Sequence, residues 1–275
     1  MTLSTIRNNP AKQKKVKTKK QKAIAATCAV AFWLLVWHVV SLCVGSELVL
    51  VSPVKVVQTL FTVIFDPDFL KTVWYSAARI LGGFFTALTL GTVLGWVASR
   101  FWVVETLLRP ITAAIKATPV ASFIILVLLW FPGKNLSVII SMLMVFPVIY
   151  MNVLEGIRSA DEELLEMAQV FRLSVSKKLL YIYLPAVAPF FVSACSVSLG
   201  LCWKSGIAAE VIGTPDGSIG AVFYQAKIFL QTSELLAWTV VVVAVSVAFE
   251  KLFMLLLRLV LKKLKMEDVL NGKRA

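Results

Sequence analysis

Of 275 residues, 59% are AVILMFWYC and only 16% are charged, with a mean hydropathy of +0.85. Ordinary soluble chains carry about 25% charged residues, so this composition excludes a water-soluble globular domain and makes lipid the expected solvent. The net charge of +13 would suit a nucleic-acid partner, but its placement excludes that class. Eight of the 28 basic residues precede Ala23 with no acid among them, and seven more lie from Lys251 onward. Basic ends around an apolar middle are cytoplasmic flanks under the positive-inside rule.

In chain order, residues 1–22 form a basic tail and Ile24–Val44 the first apolar run. That run is as long as a membrane span and exceeds the core of a secretory signal, so an uncleaved first span is expected. Gly45–Lys71 is broken by Pro53 and Pro67 and is too punctuated to cross. The second span is expected over Ile80–Ala98. The third runs from near Pro110 to Phe131, with Pro119 inside it as a kink or a broken first turn. Pro132-Gly133 makes a turn, and Leu136–Val153 is the fourth span. Glu155–Lys178 is polar, Ala186–Ile207 is the fifth span, and the Gly-rich Gly213–Gly220 leads through an amphipathic stretch to a sixth, Leu235–Leu257. The expectation is an all-α polytopic membrane protein with about six transmembrane helices: a tail 1–22, a membrane domain 23–262 with its core over 72–257, and a second tail 263–275. Arg100, Arg109, Arg158, Arg172, Lys177 and Lys178 fall on the side of both tails, which places both termini in the cytoplasm.

Cys28, Cys43, Cys195 and Cys202 lie in apolar runs with no metal-ligand spacing, and the single histidine, His38, sits in the first span. No metal site, catalytic residue or cofactor is expected, and no phosphate-binding G-x-x-x-x-G-K-[ST] loop is present. Gly91-x-x-x-Gly95 allows close approach of a second helix. Lys204 and Glu210 are ionisable groups near the end of the fifth span. Six residues apart, they lie on different faces of one continuous helix, and a direct pair needs a break that Gly206 could supply. Either both snorkel to the outer interface, or Glu210 ties the gate region together, or Lys204 attracts an anionic solute.

Residues 159–185 read SADEELLEMAQVFRLSVSKKLLYIYLP. Ser159 followed three residues later by Glu162 reads as a capping box, with acids at a helix N-terminus. Leu164, Ala168, Phe171 and Val175 recur at helical spacing, and Ser174 is placed to cap a second helix running toward Tyr183. The acidic start Asp161–Glu166 suits a protein partner better than anionic headgroups.

This interval resembles the cytoplasmic loop of ABC importer permeases: E-A-A, three residues, Gly, about nine more, then an aliphatic-x-Leu-Pro. Glu166-Met167-Ala168 stand at E-A-A, Arg172 at the glycine, and Ile182-Tyr183-Leu184-Pro185 close the motif. Leu50 to Pro53, Ser76 to Gly82, Pro119, Trp130-Phe131, Phe146-Pro147, Trp203-Lys204, Ala209-Glu210 and Gly217-x-x-Gly220 are similar to the nitrate/sulfonate/taurine/bicarbonate-type branch. The resemblance implies a type I ABC importer permease fold in the bacterial cytoplasmic (inner) membrane. It also implies a second permease copy in a homodimeric or otherwise paired permease, an ABC ATPase subunit that alone uses ATP, and an extracytoplasmic solute-binding protein. Residues 157–184 become the coupling loop, with Glu166, Met167, Ala168, Phe171, Arg172 and Leu173 at the ATPase and Leu184-Pro185 closing it. The solute is nitrate-, sulfonate- or taurine-like, or a heterocycle like a thiamine precursor. Three positions depart from the pattern: Met167 for alanine, Ile125 for a second proline in the third span, and Arg172. At Arg172, either the bend is not left-handed or the coupling contact offsets a cost of about 1 kcal/mol. The rival class, an ion-gradient-driven secondary transporter, needs intramembrane carboxylates or an inverted repeat, and neither is clear in the sequence. A polytopic enzyme needs clusters of His, Asp or Glu at membrane depth.

Overall fold

The computed structural model describes residues 19–264; the two expected tails therefore lie outside the described residues except for their inner ends. Among the described residues every regular element is helical. The chain divides into two compact units, 1–55 and 56–275. The first unit holds helix α1 (Lys19–Val44), with Ser41 Oγ donating to the His38 carbonyl at 2.8 Å. Helix α2 (Pro53–Ile64) begins with proline at its first position, where no amide partner is needed.

The second unit is built on three long helices: α3 (Phe69–Arg100), α6 (Gly133–Arg158) and α9 (Leu184–Gly213). Between them lie α4 (Trp102–Ala117) and α5 (Val120–Trp130) and, after α6, α7 (Glu162–Val170) and α8 (Val175–Lys178). Then α10 (Ile219–Ile228) and α11 (Thr232–Lys263) complete the chain. Helix α6 packs along α3 on one side and α9 on the other. Ile80, Phe84, Val145, Ile149, Leu199 and Trp203 fill the space they enclose.

The α3–α6 seam exists because side chains are missing from it. Gly83, Ala87, Gly91 and Gly95 recur every four residues along one face of α3. A Cβ on Gly83 would lie 2.4 Å from the Val138 carbonyl oxygen, and one on Gly91 would lie 2.9 Å from Ile149 Cβ. Gly91-x-x-x-Gly95 is thus half of a longer small-residue line. On α9, Gly206 sits against Ile80 and Ser141, and Ser141 Oγ donates across to the Cys202 carbonyl at 3.1 Å.

Among the described residues, five helices are long and apolar enough to cross a membrane, or six spans if α4 and α5 count together. The helices of the fourth, fifth and sixth spans run on past their expected ends to Arg158, Gly213 and Lys263, and the second and third spans change most. The second span starts at Phe69, eleven residues before Ile80, because Ser76 and Thr72 are buried polar residues inside a continuous helix rather than loop residues. The third span is two helices bent by 109°. Thr118, held extended at φ −82° and ψ 133° ahead of Pro119, ends α4, and the proline then precedes α5. The helix entering this bend starts at Trp102, and Glu105 in its first turn pairs with Arg158 at the end of α6.

Two adjacent glycines give an internal control. Gly83→Ala forces a methyl group against a backbone oxygen and should destabilise the bundle by about 1–3 kcal/mol. Nothing lies within 4 Å of a Cβ on Gly82, so Gly82→Ala should leave stability unchanged or slightly raised. Melting of the purified protein in detergent distinguishes them; equal melting temperatures would mean the seam is looser than described.

Candidate functional site

The loop between α6 and α9 ends one helix and starts another within three residues. Ser159 is used to end α6: its hydroxyl donates to the Gly156 carbonyl at 2.9 Å and its amide bonds back to Glu155. Asp161, not Ser159, caps α7, its carboxylate accepting from the Glu163 amide at 2.9 Å. The expected capping box does not form: α6 runs on to Arg158 and claims the serine, and Leu164, three residues after Asp161, cannot return the bond that Glu or Gln would make. Ser174 does occupy the N-cap position of α8, with extended φ/ψ, but its side chain makes no capping bond.

The end of α7 answers the question posed by Arg172. Its φ is +49°, so the bend is left-handed. The amide of Leu173 bonds the Ala168 carbonyl at 2.9 Å and that of Arg172 bonds Gln169 at 3.0 Å. These are the two bonds of a Schellman cap, and Leu173 completes it with an apolar contact toward Ala168. A non-glycine residue in this conformation costs about 1 kcal/mol.

The expected apolar stripe of Leu164, Ala168, Phe171 and Val175 does not share one environment. Ala168 has no exposed surface and packs with Ala160 and Ile182, flanked by Leu165 and Leu173. Phe171 and Val170 are 72% and 79% exposed, and Met167, Leu164 and Val175 are exposed beside them. The reason is that Leu165, Ala168 and Leu173 fold α7 back onto its own loop, leaving the opposite apolar set uncovered. Glu166 and Arg172 lie on the exposed side. After α8 a π-helical turn, Leu179–Tyr183, runs directly into α9. Pro185 has no amide to offer Tyr181, and the Leu184 amide bonds five residues back to Leu179. Leu184 and Pro185 are half-buried at this junction.

At the other end of α9, Glu210 is fully buried. Ser76 Oγ on α3 donates to its Oε2 at 2.6 Å, and the Gly220 amide at the start of α10 donates to the same oxygen at 3.3 Å. The Ile219 amide donates to Ser76 Oγ at 2.9 Å, while Ser218 caps α10 through the Ala221 amide. The carboxylate thus sits at the positive end of a helix and joins α3, α9 and α10. Gly220 is required here, since its Cβ would fall 2.2 Å from that of Glu210. Glu210 has no path to water, so it does not snorkel. Helix α9 is unbroken at Gly206, so Lys204 and Glu210 do not meet. Lys204 is exposed, in line with Ser196 and Gly200 at intervals of four.

Sequence reasoning missed two parts of this arrangement. It noted Ser76 and Gly217-x-x-Gly220 without linking them to Glu210; the signal available was a lone acid whose partners had to lie elsewhere in the chain. It also missed Glu250, which is half-buried on α11 and accepts from Ser196 Oγ at 2.9 Å. Two carboxylates therefore lie inside the helical bundle, Glu210 fully buried and Glu250 half-buried.

The strain at Arg172 is testable. Arg172→Gly should raise stability by about 1 kcal/mol, through relief of the left-handed penalty, and urea or thermal unfolding of the purified protein measures it. A loss of stability would show that the arginine side chain contributes more than its backbone costs.

Residues 87–266, well over half of the chain, match the family described as "Binding-protein-dependent transport system inner membrane component". The chain is 29% identical to the putative aliphatic sulfonates transport permease protein SsuC of Bacillus subtilis, over 83% of each chain. It is 27% identical to the taurine transport system permease protein TauC of Escherichia coli, over 78% of this chain and 80% of that one. Nitrate and bicarbonate permeases match as well. A solved amino acid ABC transporter chain superposes with a TM-score of 0.50 at 16% identity, covering 70% of this chain and 96% of that one, and shares its fold. The close-packed helical bundle, the loop motif and these matches together assign the chain to the binding-protein-dependent inner-membrane transport family, as the all-α, multi-pass permease subunit of an ABC-type importer.

Proposed function

We propose that this chain forms half of an import path for a small solute with an anionic head, and takes its power stroke at α7 from a separate ATPase. The observation that carries the reading is the uncovered apolar set Met167, Val170 and Phe171 on a helix that is otherwise fastened to its own loop. A solvated loop has no reason to keep such a set, and a groove on a partner would bury it. The Schellman cap, α8 and the π turn connect α7 to α9 without a flexible linker. Displacement of α7 would therefore move α9, which carries Lys204 outward from Gly200 and Ser196.

The basic-loop asymmetry supports a cytoplasmic position for both termini and for the 157–184 loop, in the cytoplasmic (inner) membrane. One chain with one coupling helix suits pairing with a second copy, a homodimer, and a solute-binding protein on the opposite side delivers cargo. The chain itself performs no catalysis and holds no cofactor in this reading. Sulfonates, taurine, nitrate and bicarbonate, which the relatives' names carry, share an anionic group. An exposed lysine on the open face of α9 complements it.

Phe171→Asp tests the reading without touching the interior. Desolvating an unpaired carboxylate in the partner's groove costs several kcal/mol, so ATPase co-purification should fall by at least about tenfold while the permease melts unchanged. Ala168→Asp should instead lower the melting temperature itself, because that methyl faces Ala160 and Ile182. Full association and transport by Phe171→Asp would exclude α7 as the coupling element.

A further inference from the structure

The end of the bundle away from α7 gathers four helices around one carboxylate. Glu210 on α9 is held at Oε2 by Ser76 of α3 and by the Gly220 amide of α10. Helix α6 joins them through Gly133, whose Cβ would lie 2.4 Å from the Gly213 carbonyl oxygen. Ser137 follows one turn later on α6 and is fully buried. Its hydroxyl and the guanidinium of Arg79 on α3 both lie near the Glu210 carboxylate.

That carboxylate is only half satisfied. Glu210 Oε1 is buried without a hydrogen-bond partner, and so are Ser137 Oγ and Arg79 Nη1. The Arg79 guanidinium instead lies over the Tyr75 ring, 4.5 Å from its centroid. Among the described residues it enters no ion pair. Opposite charges left apart in an interior are costly, since each is taken out of water and neither gains the other. Their placement on α3 shows how they meet. Helical side chains lean toward the N-terminus, so Arg79 overlies both Ser76, three residues back, and Tyr75, four back. Ser76 is itself bonded to Glu210 at 2.6 Å. One anchor therefore gives the guanidinium two berths: the Tyr75 face, through a cation–π contact, and Glu210 Oε1, through a charge-assisted hydrogen bond.

We propose that Arg79 and Glu210 form a latch between α3 and α9, open in this structure with the guanidinium on Tyr75 and closed in the opposite arrangement of the permease. The inference rests on the permease reading above, which supplies the two arrangements, and it adds the residues that set their balance. Closing fastens α3 to Glu210 by a second bond beside Ser76, and α10 follows through Gly220. An interaction made in only one arrangement shifts the equilibrium toward that arrangement. Tyr75 competes with Glu210 for the same guanidinium, so the ring favours the open latch.

The test is basal ATP hydrolysis by the permease assembled with its ATPase in nanodiscs, without solute. Arg79→Met removes the closed latch and Tyr75→Leu removes its competitor, so the two should shift the rate in opposite directions, each by at least about threefold. Tyr75→Leu should have no effect when added to Arg79→Met or to Glu210→Gln, because the ring acts only through the arginine and its acceptor. Glu210→Gln keeps an oxygen for Ser76 and Gly220, so it carries the comparison if Arg79→Met fails to assemble. Loss of packing alone would lower the melting temperature and move the rate in the same direction for both single variants, and that result overturns the proposal. An effect of Tyr75→Leu that persists without the arginine or the carboxylate overturns it too, as do unchanged rates in every variant. Failure of the wild-type chain to assemble with the ATPase removes the permease reading itself, whereas assembled variants that do not respond remove the latch alone.

Discussion

Helices in lipid gain little by burying apolar side chains against one another, because the lipid tails are equally apolar. The bundle therefore depends on how closely backbones can approach. Gly83, Ala87, Gly91 and Gly95 let α6 lie against α3, and Gly206 lets α9 reach Ile80 and Ser141. Each approach multiplies dispersion contacts and shortens interhelical polar bonds such as Ser141 to Cys202. The outcome is a rigid three-helix core whose members move together.

Rigidity at that core gives meaning to its two ends. At one end Glu210 locks α9 to α3 and α10 through Ser76, Ile219 and Gly220, so α10 follows any tilt of α9. At the other, the α7 loop is fastened by Ala168 and by a cap that tolerates a strained arginine. A push on α7 is therefore delivered to α9 rather than dissipated in the loop. Between these two anchored ends α9 carries the exposed Lys204 and, two turns earlier, the half-buried Ser196.

Much of this was legible in the sequence. Apolar run lengths located the membrane helices, and the interval 159–185 announced a helix, a bend and a second helix from its residues alone. What escaped has physical causes. Polar residues at the head of α3 looked like loop because Ser76 finds its partner 134 residues away. Pro119 promised a kink, but only three dimensions reveal that Thr118 and Pro119 turn the chain by 109°. Periodicity grouped Ala168 with Phe171, whereas a short helix folded on its own loop separates them into inner and outer faces. Glu250 stands inside the expected sixth span, and its pairing with Ser196 is set by how α9 and α11 pack, which no local pattern shows.

The central claim is that the uncovered apolar edge of α7 meets the ATPase. A photo-reactive phenylalanine analogue at Val170, whose side chain is 79% exposed, tests it in the native membrane with no change to the interior. Illumination should give a covalent adduct between the permease and the ATPase subunit, strongest when nucleotide holds the ATPase closed. Adducts only with lipid, or only with the solute-binding protein, would contradict the account.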